Sequence, residues 1–420
     1  MRRNYWNKSA ARSHQPKRCK APERERSIMS AKVLHAMTIA QSLQLVRGQL
    51  KTLETRGYEV KALTSEGSYA EIFEQEEGVR VLHVNMEREI ALKKDLDSLF
   101  ECIRVIRSEK PDIVNAGTPK AGLIVSLAAY FCRVPVRVYN VLGLRLETTG
   151  GIKRQILLMA EKIAAASSTH MLAVSPSLKR QIVELGIAPA DKIKILGHGS
   201  VNGFDLQRFE LDADMKRRVE EKRLAYGWTG EELVLGSMGR ITKDKGIDET
   251  VRAFTELNER HPNLRLLIVG DYESADAVSE WTRNTITDHP DIVHEDYQLD
   301  PVPFYYLMDL FLFLTKREGF GNVSAEAALT GIPVIAADVT GARDTLVDGK
   351  TGYLADPDNH RDVMEKLEIL IDDPALRKEL GSAGQEWVRQ NFSNEALWEE
   401  MDTYYRTCLL ERSSVLGEAQ

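Results

Sequence analysis

Residues 309–329 read DLFLFLTKREGFGNVSAEAAL. The apolar run from Leu310 to Leu314 is short enough for a strand buried on both faces, and the alanine-rich stretch from Asn322 to Leu329 suits a helix. Between them stand Gly319 and Gly321, which free the backbone to turn. A glycine turn from strand into helix usually serves a phosphate, because the first amides of the helix carry partial positive charge. Two glutamates, Glu318 and Glu326, flank that turn eight residues apart. Carboxylates beside an anion repel it unless they face another part of the same ligand.

The same alternation extends in both directions. Apolar runs at KVLHAMT, YEVKALTS, VRVLHVN, PDIVNAG, VPVRVYNVLG, THMLAVS and KIKILGHG alternate with helical patterns such as SLQLVRGQLKTLETRG, LDSLFECIRVIRSEK and AGLIVSLAAYFCR. A charged link, Asp205 to Gly230, precedes a second series built from LVLGSMG, LRLLIVG, DIVHED, DLFLFLT, PVIAAD and GYLAD. Strand and helix in turn predict parallel sheets covered on both faces. The α/β chain therefore divides into two Rossmann-like, doubly wound domains, residues 31–205 and 206–392, whose strand ends face a central cleft.

Composition narrows the chemistry. No run approaches the roughly 18 apolar residues of a membrane span. Cys19, Cys102, Cys132 and Cys408 lack metal-ligand spacing and read as reduced thiols of a cytoplasmic protein with no metal site. The net charge of -7 hides a polarity: residues 1–205 carry 32 Lys+Arg against 21 Asp+Glu, and the remainder 24 against 42. One half is thus suited to an anionic surface. Residues 1–30 form a basic extension expected to be disordered. No Walker A loop, GxGxxG, GxSxG or HExxH is present, and Asp212/Asp214 and Asp356/Asp358 lie in polar links. A nicotinamide enzyme, a metal-dependent transferase and a nucleic-acid partner are not expected, and no cofactor is required.

LVLGSMG ends at Gly239 and runs into RITKDKG, with Arg240 and Lys245. A guanidinium fork matches phosphate oxygens, and an ammonium from the next turn adds a compact charge. The pair is placed to neutralise a diphosphate at the edge where Glu318 ends its own strand. With carboxylates to accept from hydroxyls on either side, the ligand implied is a nucleoside diphosphate sugar.

E-x7-E from Glu318 to Glu326, behind an apolar strand and after GRITKDKG, resembles the retaining family-4 glycosyltransferases of the GT-B fold. The likeness runs from Lys32 onward and includes GIPVIAADVTGARDTLVDGKTGYL. It implies that Arg240 and Lys245 hold the donor diphosphate, that Glu318 contacts the transferred sugar and Glu326 the ribose, and that the turn Gly319, Phe320, Gly321, Asn322 and Val323 approaches sugar and phosphate. Val293 and His294 match the base-contacting segment, and residues 393–420 are expected to cross back onto the first domain. The nucleotide is expected to be UDP.

The N-terminal half looks like the transferases of bacterial capsule, exopolysaccharide and O-antigen assembly, through QSLQLVRGQL, TPKAGL, GLRLETTGGIKR and LGHGSVNGFDLQRF. Thr38, Ser42, Thr118, Lys120, Arg145, Glu147 and His198 are the acceptor-side candidates. Many relatives carry a histidine before the glycine at the end of the PVRVYNVLG strand, and Leu142 stands here instead. The resemblance names no catalytic base: the leaving diphosphate helps deprotonate the acceptor, and Arg240 and Lys245 stabilise charge on it. An apolar helix face in GGIKRQILLMAEKIAAA, flanked by Lys153, Arg154 and Lys162, suits peripheral contact with an anionic membrane and a polyprenyl-diphosphate-linked acceptor. A small soluble acceptor, or a nucleotide-sugar binding protein without turnover, are the alternatives.

Overall fold

The computed structural model describes residues 30–87 and 91–417, so all but the last residue of the basic extension lies outside it. The first lobe holds β1 (Lys32–Ala36), β2 (Glu59–Thr64), β3 (Arg80–His83), β4 (Ile113–Gly117), β5 (Val136–Val141), β6 (His170–Ala173) and β7 (Ile193–Lys194). The second holds β8 (Leu233–Met238), β9 (Leu264–Val269), β10 (Ile292–Glu295), β11 (Leu310–Phe313), β12 (Val334–Ala337) and β13 (Tyr353–Ala355). The orders are 3-2-1-4-5-6-7 and 10-9-8-11-12-13, and every pairing between these strands is parallel. β4, β8, β11 and β12 are buried along their whole length, as strands covered by helices on both faces must be.

In each sheet the strand order reverses beside the first strand, between β1 and β4 and between β8 and β11. Chains leave those neighbouring strands in opposite directions, which opens a crevice at their carboxyl ends. The loops after β1, β4, β8 and β11 supply most of the residues considered below.

Three local readings differ from the structure. The helix expected over 42–57 is a 3-10 segment, Ala40–Val46, and an α-helix, Gln49–Thr55, broken at Gly48, whose φ is +76°. The Trp398 ring packs so closely on Gly48 that an added Cβ would come within 2.6 Å of it. The link from Asp205 to Gly230 holds a helix, Ala213–Ala225, capped by the Asp212 side chain. KIKILGHG contributes only two strand residues.

One hydrophobic core spans both lobes, bringing Tyr139, Leu144 and Leu146 together with Phe313, Phe320 and Phe392. The helix Asn394–Gly417 returns to the first lobe, where Leu397, Met401, Tyr405 and Cys408 join its core. There Asn115 donates to the Tyr405 hydroxyl at 2.7 Å, and Tyr58 donates to Asp402 at 2.9 Å.

Candidate functional site

At the second-lobe edge, β8 passes through Gly239 into a single 3-10 turn, Lys243–Lys245. Gly246 follows at φ +69°, and a Cβ there would sit 2.1 Å from the Leu314 carbonyl oxygen. Only glycine lets this turn lie on the end of β11. The contact brings Lys245 beside Glu318, and the two form an ion pair. Arg240 pairs with Glu273 and reaches Asp244 Oδ2 at 3.3 Å, and Arg317 reaches the same oxygen at 3.0 Å. Burial alone would raise the Asp244 carboxyl, but the Thr242 hydroxyl at 2.5 Å and the charges of Arg240, Lys245 and Arg317 hold it below the usual range. Two cations stand ready for an anion, each held meanwhile by a carboxylate.

The first-lobe edge is built differently. The Thr38 and Thr118 hydroxyls lie 2.7 Å apart, and Thr38 Oγ1 also accepts from the Ala121 amide at 3.1 Å. Thr118 holds this position at φ +67°, in a region costly for a β-branched residue. Lys120 is buried and paired with Asp95 Oδ1 at 2.5 Å. Glu147, in the turn Arg145–Thr148 after β5, reaches the Thr340 hydroxyl of the second lobe. Burial raises its carboxyl, opposed by Thr340 and the Arg317 charge, and its Oε2 has no hydrogen-bond partner.

The lobes meet through backbone. A Cβ on Gly319 would lie 2.0 Å from the Leu142 carbonyl oxygen, so this contact requires glycine. Asp344 accepts from the Ser177 amide at 2.9 Å, and the Ser177 hydroxyl accepts from the Gly341 amide at 2.7 Å. Between the lobes lies a cleft of about 880 Å³. It brings Thr38, Ser42, Thr118, Lys120, Arg145 and Glu147 into one wall, opposite Arg240, Lys245, Glu318 and Gly319.

The other candidates do not line that cleft. Glu326 is half-buried and accepts from the Tyr305 hydroxyl at 2.8 Å; burial raises its carboxyl, opposed by that bond and by Arg208. His294 Nε2 lies 2.9 Å from the Gly270 carbonyl oxygen, and its ring meets Tyr272 edge-on at 5.3 Å. Phe320 is buried against Phe392, while Gly321 caps the helix that Asn322 and Val323 begin. Gly239 follows β8 directly, at φ +137°. His198 is exposed at the lobe joint, edge-on to Trp387 at 5.7 Å. Sequence reasoning passed over Asp244, Glu273, Lys316 and Arg317, all of which line the cleft. Arg317, next to Glu318, was the one a reader could have found.

Among the described residues no group of three or more His, Cys, Asp or Glu side chains is arranged to hold a metal ion, and no helix is long and apolar enough to cross a membrane. Residues 44–199 match the family described as glycosyl transferase 4-like domain, and residues 218–387 the family described as glycosyl transferases group 1. The Capsular polysaccharide biosynthesis glycosyltransferase CapM of Staphylococcus aureus is 40% identical over 381 residues, covering 90% of this chain and 98% of that protein. The N-acetyl-alpha-D-glucosaminyl L-malate synthase of Bacillus anthracis is 25% identical, over 59% of this chain and 69% of its own length. In fold, the chain is similar to Anabaena Alr3699/HepE, solved in complex with UDP and glucose, with a TM-score of 0.75, 19% identity and coverage of 90% and 100%. Matched in both halves, and along nearly the full length of a relative, the chain belongs to the group 1 and family-4-like glycosyltransferases of the GT-B fold.

Proposed function

We propose that the enzyme moves a sugar from a nucleotide donor, UDP-linked, onto a polyprenyl-diphosphate-linked saccharide, with retention of configuration, in capsule or related surface polysaccharide assembly. The observation that carries this reading is the pairing of Arg240 with Glu273 and of Lys245 with Glu318 across the cleft from the Thr38–Thr118 hydroxyl pair. The relative named for capsular polysaccharide biosynthesis supports the pathway, and the Anabaena complex with UDP and glucose supports the donor class.

When the donor binds, its diphosphate replaces carboxylates as the partner of Arg240 and Lys245. Glu318, released from Lys245, accepts from hydroxyls of the transferred sugar. Glu326 receives the ribose diol, and His294 with Tyr272 frames the base. As the bond from the anomeric carbon to the phosphate oxygen breaks, the two cations stabilise the charge left on the diphosphate. The acceptor oxygen bonds to that carbon from the same face and passes its proton to the departing phosphate oxygen. Arg240 and Lys245 thereby supply the positive charge that a divalent ion supplies in metal-dependent transfer. Closure through Gly319 and Leu142 keeps water from the donor.

A lipid-linked acceptor places the enzyme at the cytoplasmic face of the membrane. The first lobe, with its surplus of positive charge, carries an exposed apolar stripe on the helix Gly151–Ser167 and is the side that meets anionic lipid. The test has two stages. UDP-sugars, rather than GDP- or ADP-sugars, raise the melting temperature. Label from the matching donor then enters membrane extract, in an alpha or beta linkage equal to the donor's. Label entering only soluble acceptors, or tight binding without any transfer, refutes the reading.

A further inference from the structure

From β5 the chain runs into the seam between the lobes through Leu142 and Gly143. A Cβ on Gly143 would lie 3.3 Å from the Gly319 amide nitrogen and 3.7 Å from the Glu318 carbonyl carbon. The first lobe thus rests directly on the stretch that carries Glu318, yet Leu142 offers that stretch no polar side chain. Polar side chains return in the turn Arg145–Thr148, where Glu147 bonds to the Thr340 hydroxyl.

Two atoms at this place are left over. Glu147 Oε2 and Arg317 Nε are both shielded from water, and neither has a hydrogen-bond partner among the described residues. They belong to opposite lobes, and both residues line the main cleft. Burial raises the Glu147 carboxyl, Thr340 and the Arg317 charge draw it down, and the Glu318 charge pushes it up, so Arg317 and Glu318 are both its close neighbours. One leftover atom accepts and the other donates. Leaving each unpaired is destabilising, and folded proteins keep such groups where a ligand is to be met. A hydroxyl complements both at once: its oxygen accepts from the N–H, and its hydrogen goes to the carboxylate. A phosphate would complement only Arg317, and an ammonium only Glu147. Both ends can adjust. A carboxylate turns readily about its last bond, and Arg317 is held through Nη2, 3.0 Å from Asp244.

We infer that Glu147 and Arg317 select the transferred sugar, holding one of its hydroxyls between the carboxylate of one lobe and the guanidinium N–H of the other. The inference rests on the nucleotide-sugar reading above and adds the residues that choose among sugars. Glu318, next to Arg317 in the chain, takes other hydroxyls of the same ring. Because the two partners sit on opposite lobes, the hydroxyl is gripped only when the lobes close on it. A donor without that hydroxyl leaves two buried groups unpaired, which is how a site rejects a close analogue.

The probes are UDP and four UDP-sugars, those of glucose, galactose, N-acetylglucosamine and N-acetylgalactosamine, titrated into the full chain. The tightest sugar is carried into E147Q, R317K and the double variant, each checked for folding by a thermal melt. E147Q keeps the oxygen that meets Thr340 and turns the other into a donor; R317K keeps the charge facing Asp244 and removes the Nε–H. Each is expected to weaken the UDP-sugar about tenfold and to leave UDP unchanged, the scale of one hydrogen bond to a charged group. The double variant is expected to lose no more than either single one, because both residues hold the same hydroxyl. Equal losses for UDP and the UDP-sugar, no loss at all, or losses that add overturn the inference. A direct Glu147–Arg317 salt bridge in a donor-bound crystal structure overturns it too. Failure of every UDP-sugar to bind the wild-type chain refutes the donor reading itself, so the two failures are told apart.

Discussion

The two lobes repeat one strand order and place their site residues after the same strands, yet their edges carry opposite chemistry. After β8 and β11 stand charges locked in pairs: Lys245 with Glu318, Arg240 with Glu273, Arg317 with Asp244. After β1 and β4 stand two threonine hydroxyls bonded to each other, beside one buried ion pair, Lys120 with Asp95. The topology dictates where a ligand lies, and the loop residues dictate which part of it is read. Paired ions suit a ligand that brings its own charge and displaces one partner, whereas hydroxyls suit a neutral saccharide.

The largest expected effect breaks the charged edge. Glu318→Ala should lower transfer by about 10²–10³-fold while leaving the fold intact, read as turnover alongside a thermal melt. Near-normal turnover would remove Glu318 from the site. Next comes the seam between the lobes. Gly319→Ala sets a methyl group against the Leu142 carbonyl oxygen, so the lobes must part. Donor affinity should hold while kcat falls by about 100-fold, the scale on which misplaced reacting groups act. An unchanged kcat means that closure at this seam is dispensable.

A smaller effect is expected at the hydroxyl edge. Thr118→Val should raise acceptor KM by about tenfold, near the cost of one or two neutral hydrogen bonds, with donor KM unaltered. Equal changes in both constants would erase the division of labour between lobes. The smallest effect at neutral pH concerns the strands themselves. Val33-Leu34-His35 of β1 stands where β8 has Val234-Leu235-Gly236. His35 is fully buried, neither ring nitrogen has a partner, and burial lowers its pKa to about 4. Its folded pKa is below the unfolded value of about 6.5, so stability is complete above pH 6.5 and is lost as pH falls toward 4. The loss reaches about 3 kcal/mol, measurable by denaturant melts at pH 7.5 and 5. His35→Leu should flatten that acid limb; an equally steep limb would place the titration elsewhere.

The fold was legible because its signals are local. Short apolar runs such as LFLFL, each followed by glycine and a helical pattern, identify parallel strands without knowledge of their neighbours. The break at Gly48 was hidden, because the reason for it is Trp398, 350 residues further along and folded back. The meeting of Arg240, Lys245 and Glu318 could be expected from strand ends alone. The present partner of Arg240 could not: it finds Glu273 across 33 residues of chain. A smaller cavity of about 450 Å³ at the lobe joint was equally out of reach, since its Arg154, Arg180 and Arg343 come from three separate helical segments that only the joint assembles. His198 was placed near the acceptor on sequence, while in three dimensions it faces Trp387 and Phe392.

The return of the helix Asn394–Gly417 has a consequence for the birth of the molecule. Tyr405 is fully buried in the first lobe and bonded to Asn115, although 290 residues separate them. During synthesis the first lobe emerges from the ribosome with that hole in its interior, and it stays unplugged until the second lobe and this helix have been made. Nascent chains therefore carry an unfinished first lobe for the 290 residues between Asn115 and Tyr405, and a ribosome stalled within that stretch leaves a product exposed to chaperones and proteases.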